Sequence, residues 1–371
     1  MPPEPPRYGE ASLADLSASL LAALGVPGLA NPLALPPAER TCLLVIDGLG
    51  WELLRAHPEH APFLTSLMPG GRPLTAGFPA TTATSLTSLG TAVPPGGHGM
   101  LGYQVAVPGT RRLLNCLRWD RRVDPKTWQS TPTVFQRAAA AGVAPSYVAA
   151  GAYDGSGLSV ASARGAGYVA ADSLGALTAR AAAALRAAPR TYVQVYHSDL
   201  DATGHRQGCG SEDWALHLEY VDLLAERLAA RLPAGARLYV TADHGMVDVT
   251  DRVAVDADPD FTHGVRLLGG EPRARHVYAY KGAAADVLAA WREALSGRAW
   301  VRSRDEAITA GWFGDVRDEL RARIGDVVAV PWGRTGLVAP GREKPESALV
   351  GMHGSLVREE QLVPLLVTAR D

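Results

Sequence analysis

TCLLVIDGLG (41–50) decides how this chain is read: an unbroken apolar run of strand length that stops at an aspartate and a Gly-Leu-Gly turn. An apolar run without alternation is the mark of a strand covered on both faces, as in parallel sheets. A helical pattern, WELLRAH, follows at once. The same unit recurs along the chain: APSYVAAGA (144–152) follows the helix-like TVFQRAAAAG, and RTYVQVYHSD (190–199) follows an Ala-rich helical stretch. ARLYVTAD (236–243) follows DWALHLEYVDLLAERLAARL. Strands alternating with helices predict an α/β fold with a doubly wound, mostly parallel sheet.

After about residue 262 the texture changes. RHVYAYKG, ADVLAAWREALSG, a loop-rich stretch and IGDVVAVPW predict a small inserted α/β cap over 263–340. GMHGSLVREEQLVPLLVTA then reads as a return to the main unit, so the catalytic core is expected to comprise 1–262 and 341–371.

Composition narrows the function classes. The chain has 371 residues, 47% apolar and 20% charged, with a formal net charge of -2. That charge gives no bulk attraction for a nucleic acid polymer or an anionic membrane, so any phosphate recognition must be local. No run approaches the roughly 18 apolar residues of a membrane helix, and MPPEPPRYGEAS does not read as a secretory signal. Cys42, Cys116 and Cys209 are odd in number and far apart, which fits a reducing, cytoplasmic setting. Cys42, inside an apolar run, is expected to be a buried small hydrophobe.

Chemistry enters at the strand ends. Asp47 closes the first strand, Asp199 and Asp201 the one ending in VYHSDLD, and Asp243 the one ending in VTAD, with His244 next to it. Parallel strands line up their C-termini along one edge, where ligands bind. Carboxylates delivered there from three strands repel one another, and a cation relieves that repulsion. Asp201 and His205, four apart in DLDATGH, fall on one side of a helical turn or tight loop; a surface loop carrying an Asp and a His is the bland alternative. His353, between glycines in GMHGS, is a further ligand candidate, and oxygen plus imidazole donors suit zinc, then manganese.

GFPATTATSLTSLGTAVPPGGHGMLGY supplies hydroxyls. TATSLTSLG reads as a short helix with hydroxyls in its first turn, where free amides and the positive helix end favour a phosphoryl oxygen. Either Thr81 or Thr82 fits a nucleophile there, Thr84 less well; an ordinary N-cap role fits the local pattern too. His98 reads as a turn or supporting residue. His57, His60, His217 and His276 fit solvated faces, and Asn115 and Tyr153 are candidate substrate contacts.

Together CLLVIDGLG, FPATTATSLTSLGTAVPPGGHGMLGY, DLDATGH, TADHGM and GMHGS, in that order from 41 to 354, resemble the alkaline phosphatase superfamily, and within it the type I phosphodiesterase / nucleotide pyrophosphatase family. The resemblance implies an alkaline phosphatase-like fold and two divalent metal ions, zinc before manganese. Asp47, Asp243 and His244 would hold one ion with the nucleophile, and Asp201, His205 and His353 the other. It implies Thr82, three residues after Pro79, as the nucleophile forming a phosphoryl-enzyme intermediate. The substrate would be a small phosphate diester or nucleotide pyrophosphate. Ser85 stands where many family members carry an asparagine that contacts phosphate, which sets substrate choice apart. The acidic run before the metal-binding aspartate is absent, making Asp199 a supporting or substitute ligand. A phosphomonoesterase or phosphonate hydrolase built on the same metals is the rival within enzymes; a non-catalytic metal-binding module is the rival outside them.

Overall fold

The computed structural model describes residues 2–370. The first apolar run forms β1 (Arg40–Ile46), followed in chain order by β2 (Arg72–Thr75), β3 (Ala144–Ala149), β4 (Gly167–Ala170), β5 (Thr191–His197) and β6 (Ala236–Thr241). A second group follows: β7 (Val265–Glu271), β8 (Ala274–Ala279), β9 (Ala299–Ser303) and β10 (Val327–Pro331). The last strand is β11 (Leu362–Ala369). The main helices are α1 (Leu13–Ala23), α2 (Thr82–Thr91), α3 (Gly157–Ala163), α4 (Leu174–Arg186), α5 (Asp199–Gln207), α6 (Glu212–Ala229) and α7 (Ala284–Ala294).

The main sheet has seven strands in the order β2-β11-β6-β1-β5-β3-β4. β6, β1, β5, β3 and β4 are mutually parallel, and β11 alone runs antiparallel to its neighbours β6 and β2. The mostly parallel, doubly wound α/β sheet expected from the sequence is therefore present. β1 lies between β5 and β6, with Ile46 opposite His197 and Val45 opposite Thr241. Three adjacent strands thus end level with one another, and this register decides where the acids go. Cys42, Leu43, Leu44, Val45 and Ile46 are fully buried, which is why the run lacks a polar face.

β7 to β10 build a second, antiparallel sheet in the order β7-β8-β10-β9. Along β10 the two faces alternate: Val327 and Ala329 pack with Trp291 and Leu295 of α7 and its C-terminal end, while Val328 and Val330 pack with Met100, Leu101, Val105 and Leu114. Period-two burial on both sides makes this sheet a layer sandwiched between α7 and the 100–128 region of the chain. β7 and β9 carry no strand signal that the sequence reading used; their partners decide their conformation. His276 in β8 is a correction: expected on a solvated face, it is fully buried.

α2 is buried along its whole length. It packs against α1 and α3, and Gly90 is what lets α3 so close, since a Cβ there would lie 1.9 Å from the Ser162 carbonyl oxygen. Thr87 and Thr91 donate their hydroxyls to the carbonyls of Ala83 and Thr87, so a Thr-rich helix buries no free hydroxyl at those two positions.

Candidate active site

The level ends of β1, β5 and β6 place Asp47 directly after β1 and Asp243 and His244 just past β6, whereas Asp201 lies in the first turn of α5 rather than at a strand end. Asp201 and His205 are therefore one helical turn apart, and their facing atoms, Oδ2 and Nε2, are 3.3 Å apart. His353 arrives from the loop before β11. Its Nε2 stands 3.9 Å from the other Asp201 oxygen. His244 Nε2 is 3.4 Å from Asp47 Oδ1 and 3.5 Å from Asp243 Oδ2. Two groups of donors result whose atoms all lie within 4.8 Å of one another: Asp201 with His205 and His353, and Asp47 with Asp201 and His244. Asp243 borders the second group through its Oδ2. Gly245 makes the turn after His244 possible, because a Cβ there would stand 2.0 Å from the Glu359 carbonyl oxygen.

All three imidazoles are oriented alike. Each donates its Nδ1–H to a backbone carbonyl: His205 to Gly351 at 2.7 Å, His244 to Gly245 at 3.1 Å and His353 to Ala80 at 2.8 Å. A carbonyl can only accept, so each Nδ1 carries a proton and each Nε2 faces the carboxylates. His244 and His353 stack with ring centroids 3.6 Å apart.

The carboxylates are incompletely partnered. Asp47 Oδ2 accepts from the Tyr196 hydroxyl, and Asp243 Oδ1 accepts from the amides of Gly48 at 3.2 Å and His244 at 3.1 Å. Asp47 Oδ1, Asp201 Oδ1 and Asp243 Oδ2 are buried and accept no hydrogen bond. Burial raises the Asp47 carboxyl well above its ordinary value, and the negative charges of Asp243 and Asp201 add to it. Asp243 is raised for the same first reason, although His244 opposes the shift. Burial acts on Asp201 too, but the imidazoles of His205, His353 and His244 outweigh it and hold that carboxyl low. Burial would lower His205, yet Asp201 carries it up to about 9. His353 is pushed well below its usual range by burial and by its neighbour His244. Orphaned buried carboxylate oxygens facing imidazole Nε2 atoms suit divalent cations, which would take the place of protons between them.

The two threonines diverge. Thr82, the first residue of α2, directs its Oγ1 to His244 Nε2 at 3.2 Å. Thr81, the N-cap, instead donates its hydroxyl to Glu271 Oε2 at 2.7 Å. Thr84 Oγ1 is buried without a hydrogen-bond partner.

A cavity of about 440 Å³ opens beside Asp47, Thr82 and Asp201 and is walled by Leu86, Leu117, Leu158 and Tyr153. Tyr153, a predicted contact, lies in it and bonds Ser198 Oγ through its hydroxyl at 2.9 Å. Ser85 and Asn115 are not in its lining. Ser85 is fully buried within α2, and the Asn115 side-chain oxygen Oδ1 accepts from the amides of Leu117 at 3.0 Å and Arg118 at 2.9 Å, which spends it on a turn. Asp199 turns away from both donor groups: it is largely exposed, 3.8 Å from His197, and lines an adjoining cavity of about 380 Å³. His98 is buried, donates from Nε2 to Ser88 Oγ at 2.9 Å and accepts from the Met100 amide at 3.1 Å.

Sequence reasoning missed Tyr196 and Glu271. Tyr196 had one usable signal, a phenol just ahead of the acids in VYHSDLD. Glu271 had none, because only the second sheet brings it to Thr81. Burial pushes its carboxyl up to about 8, against the lowering pull of the Thr81 hydroxyl and of Arg275.

Comparison with known proteins bears on the fold and the family. Murine ectonucleotide pyrophosphatase / phosphodiesterase 5 superposes with a TM-score of 0.69 at 18% identity, covering 88% of this chain and 87% of that one. The human protein of the same description gives 0.68 at 17% identity, covering 89% and 88%. Phosphonoacetate hydrolase from Sinorhizobium meliloti 1021, in complex with phosphonoformate, gives 0.69 at 21% identity, covering 90% and 91%. At such identities these likenesses speak for the fold, which is that of the alkaline phosphatase superfamily. No curated protein sequence matches the chain. The sequence profile described as type I phosphodiesterase / nucleotide pyrophosphatase spans residues 41–356, and the chain belongs to that family of hydrolases acting on phosphate esters.

Proposed function

We propose that this chain hydrolyses small phosphate diesters or nucleotide pyrophosphates with Thr82 as the nucleophile and two divalent cations, zinc before manganese. The observation that carries the reading is the divergence of the two threonines: Thr82 Oγ1 faces His244 Nε2 at 3.2 Å, among carboxylate oxygens left without partners, while Thr81 is engaged by Glu271. Asp47, Asp243, His244 and Thr82 would hold one cation, and Asp201, His205 and His353 the other. Two such ions, when bound, lower the pKa of a hydroxyl and stabilise charge on attacking and leaving oxygens.

The chain's own residues do the rest. Thr82 gives up its hydroxyl proton to solvent as its oxygen bonds to phosphorus and the bond to the leaving oxygen breaks, and the leaving oxygen takes up a proton from solvent. Water then cleaves the phosphoryl-threonine and returns a proton to the Thr82 oxygen, releasing the phosphoryl product. The amides of the first turn of α2 lie at a positive helix end suited to a phosphoryl oxygen. Leu86, Leu117, Leu158 and Tyr153 receive one ester arm in the 440 Å³ cavity. We read the 263–340 unit as an insertion that shares its core with the 100–128 region. Among the described residues no helix is long and apolar enough to cross a membrane. The three cysteines are all free, which supports a cytoplasmic setting.

The test compares zinc-loaded enzyme on bis-(p-nitrophenyl) phosphate, p-nitrophenyl phosphate and phosphonoacetate. The diester should be turned over fastest; a strong preference for the monoester or the phosphonate would replace the diesterase assignment. Thr82→Ala should cut turnover by roughly 10³-fold or more with metal content unchanged. Full turnover in that variant would remove Thr82 from the nucleophile role, and a wild-type protein that binds zinc without any turnover would mark a non-catalytic module.

A further inference from the structure

An N-cap threonine ordinarily turns its hydroxyl onto an amide of its own helix, the second or third one in, and so closes the helix end. Thr81 is the N-cap of α2, in extended backbone at φ -146 and ψ 147, and its side chain makes no such bond. Its hydroxyl is taken by Glu271 at 2.7 Å. Glu271 is the last residue of β7, in the tight hairpin to β8 that pairs it with Ala274.

That hairpin is held rigidly. Arg273, two residues on and fully buried, donates its Nε to Glu360 Oε1 at 2.8 Å, and Glu360 Oε2 accepts from the Ser355 amide at 2.6 Å. Gly354 presses against Glu271 so closely that a Cβ there would stand 3.0 Å from Glu271 Cγ. The Ala80 amide donates to the Gly354 carbonyl at 3.2 Å, and His353 donates to the Ala80 carbonyl at 2.8 Å. The strip Ala80–Thr81 is thus clamped between the His353–Ser355 loop and the hairpin.

We propose that Glu271 is a positioning residue that diverts the Thr81 hydroxyl from capping α2 and so keeps the first-turn amides of that helix open for a phosphoryl oxygen. The second sheet thereby serves the reaction without touching the substrate. The role deepens the phosphoryl-transfer reading and rests on it. It holds whether Thr82 or a hydroxide attacks, provided Thr81 does not, because it concerns phosphate binding at the helix end.

The experiment measures competitive inhibition by inorganic phosphate together with kcat and KM on bis-(p-nitrophenyl) phosphate, using zinc-loaded full-length protein. Glu271→Ala frees Thr81 to cap the helix, so phosphate inhibition should weaken about tenfold, the equivalent of one N-cap bond. Adding Thr81→Val, a residue that suits extended backbone and cannot cap, should restore phosphate inhibition to within about threefold of wild type. Glu271→Gln, whose amide oxygen still accepts from Thr81, should rescue on its own. A role confined to stability would give a double variant no better than Glu271→Ala, and that result overturns the proposal. So does undiminished phosphate inhibition in Glu271→Ala. Should Glu271→Ala not fold, Glu271→Met keeps the volume and carries the same comparison with and without Thr81→Val. Turnover surviving in Thr82→Ala, with the phosphate results as expected, would sink the nucleophile assignment and leave the role of Glu271 standing.

Discussion

Two sets of imidazoles, one partly open and one closed, teach what separates a candidate cation site from a structural cluster. His98 and His276 are fully buried and spend both ring nitrogens on the protein. His276 donates from Nε2 to the Leu101 carbonyl at 2.8 Å and accepts at Nδ1 from the Gly325 amide at 3.0 Å. Burial lowers its pKa to about 4 and that of His98 to about 3. His205, His244 and His353 instead donate Nδ1–H to a carbonyl and turn Nε2 onto carboxylates that have unpartnered oxygens of their own. The first set is complete as the chain folds. The second is one that cations could complete, since buried like charges and orphaned acceptors both cost free energy.

The sharpest way to break that comparison is to remove one imidazole from each set. His353→Ala should cost at least about 10²-fold in turnover and one bound metal ion, because a ligand matters more than its outer-shell partner. Metal analysis beside steady-state rates reads both; an unchanged metal count would take His353 out of the ligand set. His276→Ala should leave the metal count alone and lower stability by about 2–4 kcal/mol, through two lost hydrogen bonds and a cavity. Urea titration measures it.

A gentler probe reaches the first donor group through Tyr196. Tyr196→Phe removes the hydroxyl that Asp47 Oδ2 accepts and should weaken zinc affinity about 10–100-fold, the usual cost of losing an outer-shell partner. Competition against a chelator would show it, and unchanged affinity would mean that Tyr196 only packs.

The smallest effect lies in acid. His98 and His276 have folded pKa values of about 3 and about 4, below the ordinary 6.5. Between pH 6.5 and those values the unfolded chain binds protons that the folded one does not. Their contribution to stability is therefore full above pH 6.5 and is lost as pH falls toward 4 and 3. Stability of the His276→Ala protein should decline less steeply than wild type over that window. An equal slope would mean that His276 is not held neutral.

Much of the fold and of the candidate site could be read directly. The apolar runs at 41–47, 190–199 and 236–243 carry their own evidence, because a strand buried on both faces has no polar face to confuse the pattern. The helix starting at Thr82 was legible from its hydroxyl-rich first turn, and Asp201 with His205 from their one-turn spacing. Other features depend on partners that no local pattern announces. β2 is a four-residue strand containing Pro73, and it exists because β11 pairs with it. In HSDLD the spacing to His205 favours Asp201 over Asp199, and α5 carries the two acids on different sides.

By itself, then, the sequence determined the α/β class, the order of the strand–helix units and the set of acids and histidines available to meet cations. Those follow from short-range periodicity and residue chemistry, which the chain carries locally. Only the tertiary structure decided that β1 sits between β5 and β6, that Thr82 and not Thr81 faces His244, that His276 is buried, and that Glu271 reaches Thr81 across 190 residues of chain. Each of these is settled by strand pairing or by burial against a distant segment, and neither is written in the residues that happen to be adjacent along the chain.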